Sequence, residues 1–134
     1  MSLPVERVSA SATVPRPLSV VIVDDEPKTA NVLVKLLRVD GFSVEVFGDA
    51  AAAEQRLARG PLPDVLVMDV SPARAGEVEA VRRLHARYPA LPLIVVTAYP
   101  QLAERLEASA GPPCRIVTKP IDYPGFLRLL EVYG

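Results

Sequence analysis

Asp64-Val65-Leu66-Val67-Met68-Asp69 is the stretch on which the reading of the whole chain turns. Val65 to Met68 is an unbroken apolar run with no polar alternation. That is the pattern of a short strand covered on both faces. The run ends in a carboxylate, Asp69. Three other stretches have the same form. Val20-Val21-Ile22-Val23 ends in Asp24 and Asp25, Leu93-Ile94-Val95-Val96 ends in Thr97, and Ile116-Val117-Thr118 ends in Lys119-Pro120. Open α/β sheets place their ligands outside the carboxyl ends of their strands. These strand ends are therefore expected to meet around Asp69.

Outward from that stretch, Met1 to Pro17 reads as a flexible tail, because Pro4, Pro15 and Pro17 break any regular element. Ser19 to Asp24 is the first strand. Pro27 fits the first turn of a helix, and Ala30, Leu33, Val34 and Leu37 mark its buried face. Asp40-Gly41 ends that helix, with Gly41 as a left-handed cap. Ser43 to Phe47 alternates polar and apolar, as in a half-exposed strand at a sheet edge. Asp49 caps an alanine-rich helix, and Gly60-Pro61 stops it. After the central strand, residues 70–76 form a loop. Glu77 to Tyr88 is a helix with Val78, Val81, Leu84 and Tyr88 inward. Leu93 to Thr97 is the fourth strand. Pro100 to Ala110 is a helix with Leu102 and Leu106 one turn apart. Pro112-Pro113 reads as a rigid turn. Cys114 to Thr118 is the fifth strand, and Pro124 to Tyr133 a last helix burying residues among Phe126, Leu127, Leu130 and Tyr133.

Strand and helix thus alternate through residues 18–134, which form one domain. The alternation predicts an α/β fold with a parallel sheet and helices on both faces. Right-handed crossovers favour a (βα)5, flavodoxin-like, five-stranded sheet of order 2-1-3-4-5.

The bulk composition excludes several function classes. The 134 residues suit one domain, and half of them are hydrophobic with few aromatics, so the core is expected to be aliphatic. The formal net charge is −1, without the basic excess that phosphate backbones demand, so no direct nucleic acid binding is expected. No apolar run approaches the roughly 20 residues that cross a bilayer, and no basic-then-apolar secretory signal opens the chain. The lone Cys114 forbids an internal disulfide and fits a reducing compartment, so a cytoplasmic location is expected. Cys114 itself reads as a small buried hydrophobe. His85 is the single histidine, which leaves little for metal clusters or histidine-based triads, and it reads as solvated. Arg82, Arg83 and Arg87 share its helix with Glu77 and Glu79, a charged outer face.

In a sheet with the first and third strands adjacent, Asp24, Asp25 and Asp69 converge. Carboxylates so gathered repel unless a cation sits among them, and Mg2+ with oxygen ligands is the natural answer. The plainer alternative is that Asp24 or Asp25 caps the helix near Pro27. Lys119 supplies a counter-ion or a point charge for a phosphoryl group; taken alone it would be a solvated lysine. Pro120 pins the backbone beside it, and the Lys119–Pro120 bond is a candidate for the cis form. Thr97 offers a hydroxyl, though alone it would be an ordinary strand residue. Together they make up the inventory of phosphoryl transfer to a carboxylate.

Four motifs carry a resemblance: Val20-Val21-Ile22-Val23-Asp24-Asp25-Glu26-Pro27, Val67-Met68-Asp69, Val95-Val96-Thr97-Ala98-Tyr99 and Thr118-Lys119-Pro120. In this order and spacing the chain resembles the receiver domain of two-component response regulators, from about Leu18 onward. The resemblance implies that Asp69 is the phosphoacceptor for a histidine kinase or a phosphotransfer protein. It implies that Asp24, Asp25, Asp69 and the Ser71 carbonyl hold Mg2+, and that Thr97 and Lys119 contact the phosphoryl group. It implies a signalling domain that assists its own phosphorylation and dephosphorylation, not an enzyme in the ordinary sense. The face of the fourth helix, fifth strand and fifth helix would change its partner affinity and offers a route to a homodimer.

Two departures from the family pattern stand out. The proline of Asp69-Val70-Ser71-Pro72 comes one residue early and so does Gly76, a loop shortened by one residue. Ile116 stands where the family often has Tyr or Phe, and a branched aliphatic side chain cannot act as a rotating ring. Switching is therefore expected to rely on Thr97 and the segment after it, including Tyr99, with Ile116 and Pro120 as modulators. Two alternatives remain open. One is a degenerate receiver-like binding module that is not phosphorylated. The other is a small Mg2+-dependent phosphatase, which would want a second acid where this chain has Ser71. The end of the chain at Gly134 leaves open both a stand-alone regulator and part of a longer protein.

Overall fold

A computed structural model describes residues 16–71, 76–110 and 114–133. Five strands alternate with five helices: β1 (Ser19–Val23), α1 (Pro27–Val39), β2 (Ser43–Phe47), α2 (Ala50–Arg59), β3 (Val65–Asp69), α3 (Glu77–Arg87), β4 (Leu93–Thr97), α4 (Pro100–Ala110), β5 (Cys114–Thr118) and α5 (Tyr123–Glu131). All neighbouring strands are parallel. Their order is β2-β1-β3-β4-β5, the arrangement predicted from the alternation.

The strands divide their side chains by parity, as a two-residue period requires. Val21, Val23, Leu66, Met68, Leu93 and Val95 face one way, against Ala53 and Leu57 of α2, Val81 and Leu84 of α3, and Leu102 and Leu106 of α4. Val20, Ile22, Val65, Val67, Ile94 and Val96 face the other way, against Val34 and Leu37 of α1 and Phe126 and Leu130 of α5. Both faces of β3 are therefore covered, which is why its sequence carries no polar residue between its two aspartates. Three helices lie on one side and two on the other. Strands buried on both faces leave their ends as the exposed places where polar groups can be displayed.

Helix boundaries follow local chemistry. The Asp49 side chain accepts the Ala52 N–H at 2.8 Å and opens α2. Gly41 has φ 94° and turns the chain after α1, a conformation strained for any residue with a Cβ. Asp64 also has a structural role. It accepts the Ser19 N–H and takes the Arg16 guanidinium through two contacts of 2.8 Å, so it ties the start of β3 to the start of β1. The bonded Arg16 draws its carboxyl below the usual value.

Some expectations shift. α5 begins at Tyr123 rather than Pro124, and Leu33 and Leu127 are half-buried because they flank the α1 and α5 packing faces rather than sit at their centres. Val46, the second apolar residue of β2, is 38% exposed, since an edge strand is only partly roofed. Residues 1–15 of the expected tail, positions 72–75 of the shortened loop and the Pro112-Pro113 turn lie outside the described residues.

Candidate functional site

Register brings the site together. Val23 of β1 lies opposite Met68 of β3, so Asp24 and Asp69 leave the sheet side by side. Asp69 pairs with Val96 of β4, and Thr97 pairs with Thr118 of β5, the residue before Lys119. The ladder continues past the strand ends. Asp24 N–H donates to the Phe47 carbonyl at 3.0 Å, Val70 N–H to Val96 at 2.8 Å and Lys119 N–H to Thr97 at 2.8 Å. These bonds fix the main chain at the points where the functional side chains depart.

The result is a polar pocket of 230 Å³ lined by Asp24, Asp25, Glu26, Asp69, Val70, Ser71, Ala98, Tyr99 and Lys119. Lys119 Nζ forms an ion pair with Asp69 Oδ2. The Lys119–Pro120 peptide is cis. A larger groove of 380 Å³ lies behind Lys119, between Val32, Leu33 and Leu36 of α1 and Pro120, Ile121 and Tyr123. Its walls are almost wholly apolar, so the converging polar groups, and with them the chemistry, belong to the smaller pocket.

Asp24 is buried, and its Oδ1 accepts the Glu26 N–H at 2.9 Å. The N-terminus of α1 has no side-chain cap, so this bond shapes the turn before the helix rather than capping it. Burial pushes the Asp24 carboxyl above its ordinary value. The bonded Glu26 N–H and the Lys119 charge pull it down, while the Asp69 and Asp25 charges push it up. The folded state thus holds this proton to higher pH than the unfolded chain does. Stability from Asp24 is present in acid and is lost as pH rises from the ordinary value of 3.8 through the raised one. Asp24→Asn keeps an acceptor for Glu26 but removes the charge. It is expected to raise metal-free stability at pH 7, an advantage that shrinks in acid. Urea unfolding at pH 7 and pH 4 measures this; equal effects at both values would contradict it.

Among the described residues no three of the His, Cys, Asp and Glu side chains close into a metal cage. Mg2+ does not need one, because it keeps several waters beside one or two carboxylates. A buried carboxylate with two like-charged neighbours on an open pocket suits such a cation. The acidic lining of Asp24, Asp25 and Asp69, with Ser71 at the rim, is compatible in its chemistry with such a cation.

Other expected residues fall differently. Thr97 is fully buried at the end of β4, and its hydroxyl accepts the Tyr99 N–H at 3.2 Å. It stands behind the pocket wall, while Ala98 and Tyr99 form that wall. Tyr99 is 43% exposed. Ile116 packs against the core on the side of α2, α3 and α4. Cys114 is partly buried rather than buried, since it opens the edge strand β5, and that burial pushes its thiol up to about 11. His85 corrects the expectation of a solvated residue: it is half-buried, with its Nδ1 shielded and lacking a hydrogen-bond partner among the described residues. It follows the buried Val81 by one turn, which places it at the flank of the packed face. Arg83 does lie on the outer face, forked onto Glu54 of α2 at 2.9 and 2.7 Å.

Sequence reasoning missed Glu77. Its Oε1 accepts the Ser71 N–H at 2.8 Å. An acid in the first turn of a helix reads as a partner of the helix dipole, so nothing local pointed from Glu77 back to the strand end.

Residues 20–131 match the family model for the response regulator receiver domain. The chain is 31% identical over 107 residues to a probable transcriptional regulatory protein, TcrX, of Mycobacterium tuberculosis, covering 80% of this chain and 45% of that protein. It is 38% identical over 85 residues to the transcriptional regulatory protein CreB of Escherichia coli, covering 63% and 37%. The chain thus spans less than half the length of these relatives. A signal receiver domain from an HD domain-containing protein of Pseudomonas fluorescens superposes with a TM-score of 0.78 at 25% identity, covering 92% and 91%. The Thermotoga maritima response regulator TrrA, solved with Mg2+ and BeF, superposes with a TM-score of 0.74 at 20% identity, covering 87% and 98%, a likeness of fold.

Proposed function

The chain belongs to the response regulator receiver domain family, and from that premise we propose that Asp69 accepts a phosphoryl group from a histidine kinase or a phosphotransfer protein. The observation that carries the reading is the ion pair of Asp69 with Lys119 inside a pocket walled by Asp24 and Asp25. Asp69 attacks the phosphorus in line, and the donor's imidazole leaves with the bonding pair. Lys119 exchanges its carboxylate partner for a phosphoryl oxygen as charge grows there. Asp24, Asp25, Asp69 and the Ser71 carbonyl would hold Mg2+, which when bound would neutralise phosphoryl charge. Thr97 leaves its bond with the Tyr99 N–H to reach the phosphoryl group, and the segment carrying the exposed Tyr99 moves with it. The aliphatic Ile116 and the pinned Pro120 shape how far that movement spreads.

The altered surface is the face of α4, β5 and α5, which supports partner exchange or a homodimer. A difference of a few kcal/mol between two states is enough for such a switch. Among the described residues no helix is long and apolar enough to cross a membrane. A cytoplasmic site of action, no direct contact of this chain with nucleic acid, and slow loss of its own phosphoryl group complete the proposal.

Incubation with Mg2+ and acetyl phosphate, followed by intact-mass measurement, is expected to show one labile phosphate adduct that Asp69→Asn abolishes. No adduct on the unaltered chain would favour a binding module that is not phosphorylated. Steady turnover of varied phosphate esters would favour a phosphatase.

A further inference from the structure

We propose that Glu77 is a positioning residue: its carboxylate holds the main chain of Ser71 at the rim of the acidic pocket and thereby sets how tightly the pocket takes a divalent cation. The proposal rests on the metal reading given above and adds a residue that the four motifs do not contain.

Three observations meet at Ser71. Its N–H donates to Glu77 Oε1 at 2.8 Å, a partly buried bond across six positions of sequence. Ser71 lines the pocket beside Asp24, Asp25 and Asp69. The residue before it, Val70, is the last whose N–H joins the sheet ladder, donating to Val96 at 2.8 Å. The main chain is thus held by β4 at Val70 and, one residue on, by the Glu77 side chain at Ser71. Gly76, with φ 84°, starts α3 without a side-chain cap, and Glu77 follows it directly. The Glu77 carboxylate therefore leans back from its own helix toward the strand exit. That reach links α3 to the pocket rim.

The chemistry is that of an outer ligand partner. A carbonyl binds a hard cation well only when its direction is set beforehand, and groups that orient ligands change metal affinity by roughly 10- to 100-fold. The bond from Ser71 N–H fixes the Val70–Ser71 peptide plane and leaves only the φ and ψ rotations of Ser71 between that plane and the Ser71 carbonyl. The Glu77 charge adds a weaker, longer-range attraction for a cation. The two contributions separate by substitution. Glu77→Gln retains an oxygen that accepts the Ser71 N–H but carries no charge. Glu77→Ala loses the acceptor.

The test uses the full chain. Titration calorimetry with MgCl2 is expected to give Glu77→Ala a Kd roughly tenfold weaker than the unaltered chain and Glu77→Gln a Kd within about threefold. Amide hydrogen exchange read by NMR in metal-free protein is expected to speed up at Ser71 in Glu77→Ala and to stay slow in Glu77→Gln. Unchanged exchange in Glu77→Ala overturns the positioning role. Equal loss of affinity in both variants assigns the effect to charge and overturns it too. Failure of the unaltered chain to bind Mg2+ would overturn the metal reading beneath the proposal. Mg2+ binding that Glu77→Ala leaves intact would overturn the role of Glu77 alone.

Discussion

Lys119→Met is expected to slow phosphorylation of Asp69 by roughly 100-fold, the scale on which removing one fixed charge-stabilising donor from a reaction site acts. Lys119 pairs with Asp69, and its charge also lowers the Asp24 carboxyl. Without it, the incoming phosphoryl oxygens lose the ammonium that pairs with Asp69, and more of their charge falls to the metal. Met is the informative replacement because the lysine stem also lines the apolar groove with Pro120, Ile121 and Tyr123. A thioether of similar length keeps that packing and removes only the charge. The measurement is the time course of the mass adduct at fixed Mg2+ and acetyl phosphate, with circular dichroism as a check on folding. A rate within threefold of the unaltered chain would sink the assignment.

The second large effect is on stability. Leu37→Ala is expected to cost about 3 kcal/mol, within the range for burying a leucine-sized cavity. Leu37 has no exposed surface and belongs to one core cluster with Val20, Ile22, Val67, Phe126 and Leu130. Leu36, its chain neighbour, is 41% exposed on the groove side. Leu36→Ala is expected to change stability by less than about 1 kcal/mol. Urea unfolding of the two variants tests the face assigned to α1: comparable losses would mean that its buried stripe has been misplaced. A loss at Leu37 would also be felt at the pocket, because Val67 leads directly through Met68 to Asp69.

The core and the site were legible to different depths. Ala30, Val34 and Leu37 recur at helical spacing and are buried, as are Leu102 and Leu106 of α4. Such residues announce themselves because burial of apolar area scarcely depends on direction. His85 did not, because one turn from Val81 its exposure depends on how closely neighbouring elements approach. Nor did Asp64, whose sequence reads as a plain strand entry but which binds Arg16 and Ser19 from the start of the chain.

By itself the sequence determined the alternation of strand and helix, and hence a parallel sheet buried on both faces. It also determined which side chains stand at the strand ends: Asp24, Asp25, Asp69, Thr97 and Lys119. Both follow from period and composition, which are local. Only the tertiary structure decided which of these touch. It joined Lys119 to Asp69 and buried Asp24 between like charges. It turned the Thr97 hydroxyl to the Tyr99 N–H and tied Ser71 to Glu77. Hydrogen bonds and ion pairs act over a few ångströms and in set directions. Their partners are chosen by strand register and helix placement, which no spacing along the chain encodes.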